Sequence, residues 1–290
     1  MRLLIHTGGT IGMVSGPCGL IPGVGCVETA VAGRARVVAF DPLLDSANVG
    51  AAHWNRMLDL IEAEDGPVLI THGTDTMTYT AAALSGALQG WPHAVILTGA
   101  MTPLGMGGDA EANLELALQA DPGPGVWLAF AGKILSADGL VKTQSRLPDA
   151  FRARSQGGMG AAADVQDAPL APSGSWQPRR FGARRVGVLT ASPGVVPEAF
   201  AAALAHLDGA VLRVFGTGTI PASPELVEVL SRAVAEGKLL RAVSTCENGG
   251  LVPGTYAAGQ GLWDAGVQNG GADTVEAALV HLWLALSQDT

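Results

Sequence analysis

The sequence predicts an α/β protein with a larger N-terminal domain, whose mostly parallel sheet is flanked by helices, and a smaller C-terminal α/β domain with a parallel sheet. Two observations carry this. Short runs that are apolar at every position alternate with segments of helical period, and one irregular stretch rich in Gly, Ala, Pro and Ser divides the series. A strand apolar on both faces must be covered on both faces, which crossover helices do in a parallel sheet.

The predicted strands are Leu3–Thr7, Pro67–Thr71, Ala94–Thr98 and Val126–Ala131, then Val186–Leu189, Ala210–Phe215 and Leu239–Ser244. Between the first two, Trp54, Met57, Leu58 and Ile61 fall at i, i+3, i+4 and i+7, the stripe of an amphipathic helix. Further on, Ser223 suits an N-cap and Pro224 the first helical position. The stripe Leu226, Val229, Leu230, Ala233 follows, and Gly237 closes the helix. Asp273 with Glu276 three residues on reads as the cap of a last helix, Val275–Leu286. The irregular stretch runs from about Ser155 to Gly182. It places the N-terminal domain at 1–168, a linker at 169–182 and the C-terminal domain at 183–290. A second irregular segment, Gly12–Gly25, holds five glycines and two prolines directly after the first strand, and a connection of that length is more often functional than incidental.

Composition narrows the function. With 48% hydrophobic and 15% charged residues, the 290-residue chain can bury a large core, which excludes intrinsic disorder. The longest apolar stretch, Ala277–Leu286, is too short for a membrane span and contains His281. The opening Met1–His6 has no secretory h-region, and Cys18, Cys26 and Cys246 form no C-x-x-C pair, so a cytoplasmic protein without a thiolate metal site is expected. A net charge of −9, with no basic run longer than two arginines, argues against nucleic acid as a partner. The charged fraction lies below the ~25% of ordinary soluble domains, which points to surface hidden in subunit contacts of a homodimer or homotetramer.

Ligands of open parallel sheets bind at the carboxyl ends of strands. Two polar clusters occupy such ends: Thr7-Gly8-Gly9-Thr10 after the first strand and Thr71-His72-Gly73-Thr74-Asp75-Thr76 after the second. Their glycines let backbone approach a ligand closely, whereas their threonine hydroxyls are poor nucleophiles until something removes the proton. Taken alone, Gly-Gly-Thr after a strand can be no more than a turn with a helix cap. Neither cluster contains a P-loop or the G-x-G-x-x-G of a nucleotide-binding dehydrogenase. His72 reads as a hydrogen-bonded structural histidine rather than a general base, and no histidine pair supports a metal site. Against fourteen arginines stand three lysines, Lys133, Lys142 and Lys238. Only a lysine can give up its proton, so Lys142, a short excursion beyond a strand, is either a site base or a snorkelled surface lysine.

The two clusters, extended as Leu4-Ile5-His6-Thr7-Gly8-Gly9-Thr10-Ile11-Gly12 and Gly66-Pro67-Val68-Leu69-Ile70-Thr71-His72-Gly73-Thr74-Asp75-Thr76-Met77, resemble the paired signatures of the bacterial-type L-asparaginase family. The likeness continues through Leu97-Thr98-Gly99-Ala100-Met101, Val141-Lys142-Thr143 and Tyr256-Ala257-Ala258-Gly259. It is nearest to the intracellular, type I branch, which the Asp45-Ser46-Ala47-Asn48 stretch also resembles. The resemblance implies a cofactor-free hydrolase that converts L-asparagine to L-aspartate and ammonia. Thr10 would be the nucleophile, with Thr74, Lys142 and Asp75 as an activating constellation. Ser46 and Ala47 would meet the substrate α-carboxylate side, Asp75 would also pair with its α-ammonium, and Gly9, Gly73, Thr74 and Ala100 would line the pocket.

Two departures stand out. Leu20 occupies the place where the family usually carries a loop tyrosine, and Ala257-Ala258 offers no counterpart to the glutamate that the secreted branch lends a neighbouring subunit; low glutaminase activity is the expectation. The competing readings are a hydrolase of glutamine or D-asparagine, a catalytically weak amino-acid-binding homologue, and the amide-hydrolysing subunit of a tRNA-dependent amidotransferase. The presence of Thr10, Thr74, Asp75 and Lys142 favours an enzyme, and the missing basic surface disfavours the amidotransferase. Sedimentation at micromolar concentration should return the mass of two or four chains, and a monomer mass would contradict the assembly read from the charge content.

Overall fold

The computed structural model describes residues 1–154 and 176–288. The described residues form two compact units, one built from 1–153 and 176–178, the other from 154 and 179–288. The first seven residues of the expected linker, 169–175, lie outside the described residues. Among the described residues, no helix is long and apolar enough to cross a membrane.

The N-terminal unit runs β1 (Arg2–Gly8), a 3-10 turn (Thr10–Gly12), β2 (Met13–Gly16), β3 (Gly19–Pro22), α1 (Cys26–Ala30), β4 (Ala35–Leu44), a second 3-10 turn (Ser46–Asn48), α2 (Ala51–Glu62) and β5 (Val68–Thr71). It continues through α3 (Met77–Ala87), β6 (Ala94–Thr98), α4 (Ala110–Gln119), β7 (Gly125–Phe130), β8 (Lys133–Ser136), β9 (Leu140–Lys142) and β10 (Phe151–Ala153). The main sheet has the order β4-β1-β5-β6-β7-β8, parallel except for the antiparallel β8 at one edge. β5 and β6 are buried at every position, as their unbroken apolar runs require. On one face Leu4, Leu69, Ile96 and Trp127 form a core with Val27 and Val31 beyond the hairpin and with Leu114 and Ala117 of α4. On α2 the buried residues are Trp54, Met57, Leu58 and Ile61, the stripe read from the sequence.

This strand order creates a switch point. From β1 the chain goes to β4 on one side, then crosses to β5 on the other and continues outward to β6 and β7. The connections that leave β1 and β5 therefore part in opposite directions, opening a crevice between the carboxyl ends of these two strands.

The short strands β8, β9, β10 and, in the C-terminal unit, a last one at Gln268–Asn269 are absent from the sequence reading, and three further features differ from it. β4 lacks a strand-like run because Arg36, Asp41 and Pro42 interrupt it; it tolerates them because it is the sheet edge, where a missing amide hydrogen costs no ladder bond. The irregular Gly12–Gly25 contains the antiparallel hairpin β2–β3, with Ser15 opposite Leu20. The last helix is capped by Thr274, whose Oγ1 accepts the Ala277 amide at 3.1 Å, and not by Asp273, which pairs with Arg241 at 2.9 Å. One hydroxyl at the N-cap itself has the better geometry, so the carboxylate one residue earlier is free to take the arginine.

The C-terminal unit comprises β11 (Val186–Thr190), α5 (Pro197–Ala205), β12 (Gly209–Val214), α6 (Pro224–Ala235), β13 (Leu239–Ser244), α7 (Gln260–Asp264), β14 (Gln268–Asn269) and α8 (Val275–Gln288). Its four strands are parallel in the order β11-β12-β13-β14. Ser223 caps α6 by accepting the Leu226 amide at 3.1 Å, Leu226, Leu230 and Ala233 face the core, and Gly237 takes the left-handed conformation beyond the helix end.

Candidate active site

The two hydroxyl-and-glycine turns meet at the crevice between β1 and β5. His6 and Thr71 are register partners on these strands, so both turns leave the sheet at the same level. Gly9 (φ 84°) lies so close to the second turn that a Cβ on it would stand 2.4 Å from both Cα and N of Gly73. A Cβ on Gly73 would in turn strike Ser46 Oγ at 2.6 Å and lie 3.3 Å from Gly9 Cα. Only glycine permits either approach, and at Gly9 the positive φ adds a second reason. The Gly9 amide donates to the Leu44 carbonyl at 3.2 Å, which fastens the first turn to the end of β4.

Thr10 follows at the start of its 3-10 turn, half-buried, while Thr74 is buried. Lys142, the last residue of β9, donates from Nζ to Thr74 Oγ1 at 2.9 Å and to Asp75 Oδ1 at 2.7 Å. The lysine side chain is mostly enclosed, 19% exposed, whereas that of Asp75 is open at 70% and is free to meet a ligand with its second oxygen. Ser46 is buried at the head of its 3-10 turn; Asp45 caps that turn by accepting the Ala47 amide at 3.0 Å, and Thr76 Oγ1 donates to the Ser46 carbonyl at 2.6 Å. Ala47 is exposed beside it, and Ala100 is buried just beyond β6. The nine expected residues thus sit on loops of the N-terminal unit that open at the same end of the sheet, except Lys142, which arrives from the small β9–β10 hairpin.

The sequence reading missed Asp109. Its buried carboxylate accepts the Met101 amide at 3.0 Å with each oxygen, the Thr102 amide at 2.9 Å and Asn113 Nδ2 at 3.0 Å. Asn113 also donates to the Gly99 carbonyl at 3.0 Å and accepts the Ala131 amide at 2.8 Å. Together they fix the loop carrying Ala100. An Asp and an Asn four apart at a helix start, after a Thr-Gly-Ala strand end, were the available signal.

His72 is the structural histidine its sequence context indicates. It is fully buried, with Nε2 2.9 Å from Thr80 Oγ1, itself bonded by Trp54 Nε1 at 3.0 Å, and Nδ1 2.7 Å from the Gly73 carbonyl. Burial is the larger influence and pushes its pKa down to about 4, against the smaller raising effect of the Gly73 carbonyl. It holds the second turn from behind.

The described hairpin after the first turn is tied back by the Gly23 amide on the Gly12 carbonyl at 2.8 Å. Leu20 stands on it 46% exposed and carries no hydroxyl, Tyr79 is on α3, and Tyr256 lies in the C-terminal unit.

Residues 3–169 match the family model for the N-terminal domain of asparaginase, and residues 185–290 that for the glutaminase/asparaginase C-terminal domain. L-asparaginase 1 of Escherichia coli is 30% identical over an alignment covering 98% of this chain and 91% of that protein. The thermostable L-asparaginase from Thermococcus kodakarensis superposes with a TM-score of 0.84 at 30% identity, covering 99% of this chain and 93% of that one. L-asparaginase I from Vibrio cholerae also gives 0.84 at 30% identity, over 100% and 93%.

Replacing Gly9 or Gly73 by alanine should lower kcat/KM at least about 100-fold by parting the two turns, while far-UV circular dichroism stays unchanged. Because His72 binds protons less readily when folded than when unfolded, its contribution to stability is complete above pH 6.5 and falls as pH drops toward about 4. That loss is on the order of 3 kcal/mol. Calorimetric Tm values measured from pH 8 to pH 4 should drop less steeply in His72→Gln than in the parent.

Proposed function

We propose, from the premise that this chain belongs to the asparaginase family, that the crevice between β1 and β5 is its active site, with Thr10 as nucleophile. The enzyme is an amidohydrolase that converts L-asparagine and water to L-aspartate and ammonia. What supports the assignment is the contact of Gly9 on Gly73, the neighbours in sequence of Thr10 and of the Lys142-bonded Thr74.

In this reading the substrate α-carboxylate lies by Ser46, Ala47 and the backbone of Gly73 and Thr74, ahead of the positive end of α3. The exposed Asp75 oxygen takes the α-ammonium. The side-chain amide then faces Thr10, Gly9 and Ala100. Thr10 Oγ adds to the amide carbon, and the charge that develops on oxygen is met by backbone N–H groups; losing one such donor typically costs about 2.7–4 kcal/mol of barrier lowering. Since the Gly9 amide is engaged by Leu44, the Thr10 amide is the donor of that turn. The C–N bond breaks as ammonia leaves with the nucleophile's proton, giving an ester of Thr10, and water then cleaves the ester to release L-aspartate.

Lys142 enters the cycle as a donor to both Thr74 and Asp75, so it can take a proton from Thr74 only as it yields one. The Asp75 carboxylate is the adjacent acceptor. Thr74 thus relays the proton removed from Thr10 or from water, and Lys142 steers it. Arginine keeps the charge but cannot exchange a proton in this way.

A cytoplasmic homodimer or homotetramer, acting without a cofactor on a small-molecule substrate, completes the proposal; the low charged fraction of 15% supports the assembly. Thr10→Ala, Thr74→Ala and Lys142→Arg should each lower kcat for ammonia release about 100-fold or more with the fold intact. An active Thr10→Ala enzyme would exclude Thr10 as nucleophile, and near-normal turnover in Lys142→Arg would exclude the relay. L-glutamine and D-asparagine should release ammonia much more slowly than L-asparagine.

A further inference from the structure

His6 has no role in the chemistry above, yet it lies at the junction of both turns. It is 1% exposed on β1, four residues before Thr10. On one side Nδ1 lies 2.8 Å from Oγ1 of Thr71, three residues before Thr74. Thr7 Oγ1 adds a second link by donating to the Thr71 carbonyl at 3.0 Å. On the other side the ring presses on Gly12, where a Cβ would stand 2.8 Å from both Cε1 and Nε2. Gly12 ends the turn that carries Thr10, donates to the Gly9 carbonyl at 3.1 Å, and accepts the hairpin's Gly23 amide at 2.8 Å. The imidazole is therefore a spacer between the backbone holding Thr10 and the strand that leads into the Thr74 turn.

Its outer nitrogen adds a second feature. His6 Nε2 is buried without a hydrogen-bond partner, and so is Oε2 of Glu28 on α1. The elements around the ring bring Ala39 from β4, Thr71 from β5, Gly12 from the turn and Glu28 from α1; Glu28 is the charged group whose field reaches it. We propose that neutral His6 is a positioning residue of the asparaginase reaction, setting the spacing of the Thr10 and Thr74 turns, and that protonation of its buried ring makes this spacing sensitive to acid. The proposal rests on the reading of Thr10 and Thr74 as the reacting turns.

The physical sequence is short. With Nε2 unpartnered, the tautomer with hydrogen on Nε2 leaves Nδ1 to accept the Thr71 hydroxyl. A proton added to Nδ1 forces the Thr71 hydroxyl to turn and accept, which disturbs the link between β1 and β5. Burial holds the ring neutral to lower pH than usual, and the Glu28 charge partly offsets it.

The test is kcat and KM for L-asparagine from pH 4.5 to 9, with histidine-ring NMR over the same range. The parent should show an acidic limb in kcat that coincides with the His6 ring titration. Glu28→Gln should keep the parent's kcat at pH 8 and shift that limb to lower pH, because the charge favouring the imidazolium is gone. His6→Asn keeps a polar atom near Nδ1 but cannot titrate or reach Gly12; it should lower kcat about 10-fold or more with KM nearly unchanged, and lose the limb. A parent profile without an acidic limb, a limb unmoved in Glu28→Gln, or a His6→Asn enzyme with the parent's kcat would each overturn the proposal. Glu28→Gln decides the matter even if His6→Asn does not fold. An active Thr10→Ala enzyme would instead fail the underlying site reading, whatever the His6 results.

Discussion

The close approach of two glycine backbones, Gly9 and Gly73, governs everything the N-terminal unit can do. β1 and β5 are neighbours in register, and the chain leaves them in opposite directions, so their terminal turns face each other across a narrow crevice. A side chain on either glycine would fill that crevice. Without one, the two turns come into direct backbone contact. Below the turns, the fully buried β5 and β6 supply a rigid floor, since a packed interior transmits displacement rather than absorbing it.

The polar groups around this contact divide into those that hold the turns and those proposed to react. Asp109 and Asn113 hold the Ala100 loop with a buried carboxylate satisfied by amide donors, an arrangement whose hydrogen bonds to a charge are stronger than neutral ones. His72 and Trp54 hold the second turn through Thr80. Of the proposed reacting groups, two are less enclosed. Asp75 opens to solvent, Thr10 is half-buried, and the adjoining hairpin exposes Val14, Leu20, Ile21 and Val24.

The lysine illustrates how the site is assembled from remote chain. Lys142 does not follow a strand of the main sheet; it ends β9, which pairs with β10, and reaches Thr74 and Asp75 from the side. A lysine close to a carboxylate and a hydroxyl, mostly covered yet hydrogen-bonded at each, has a defined position that a surface lysine lacks. This distinguishes Lys142 from a snorkelled surface lysine and supports its proposed place in the site.

Local pattern determined much of this molecule. Mostly apolar runs marked the parallel strands of both sheets except β4 and β14, most clearly β5 and β6, which are buried at every position. The stripe at Trp54, Met57, Leu58 and Ile61 marked α2, and the two Gly/Thr clusters marked the strand ends where ligands bind. Edge strand β4 was hidden, since an edge tolerates Pro42 and charge; the Gly12–Gly25 hairpin was hidden, since its exposed residues follow no burial pattern; and the Thr274 cap was hidden by the neighbouring Asp273. Tertiary structure alone decided that Gly9 touches Gly73, that Lys142 reaches Thr74, and that Asp109 and His6 brace the turns. Such contacts join residues tens of positions apart, and only the sheet order and register set their distances. Periodicity records which side of an element is buried, whereas the partner on that side is fixed when the strands take their places.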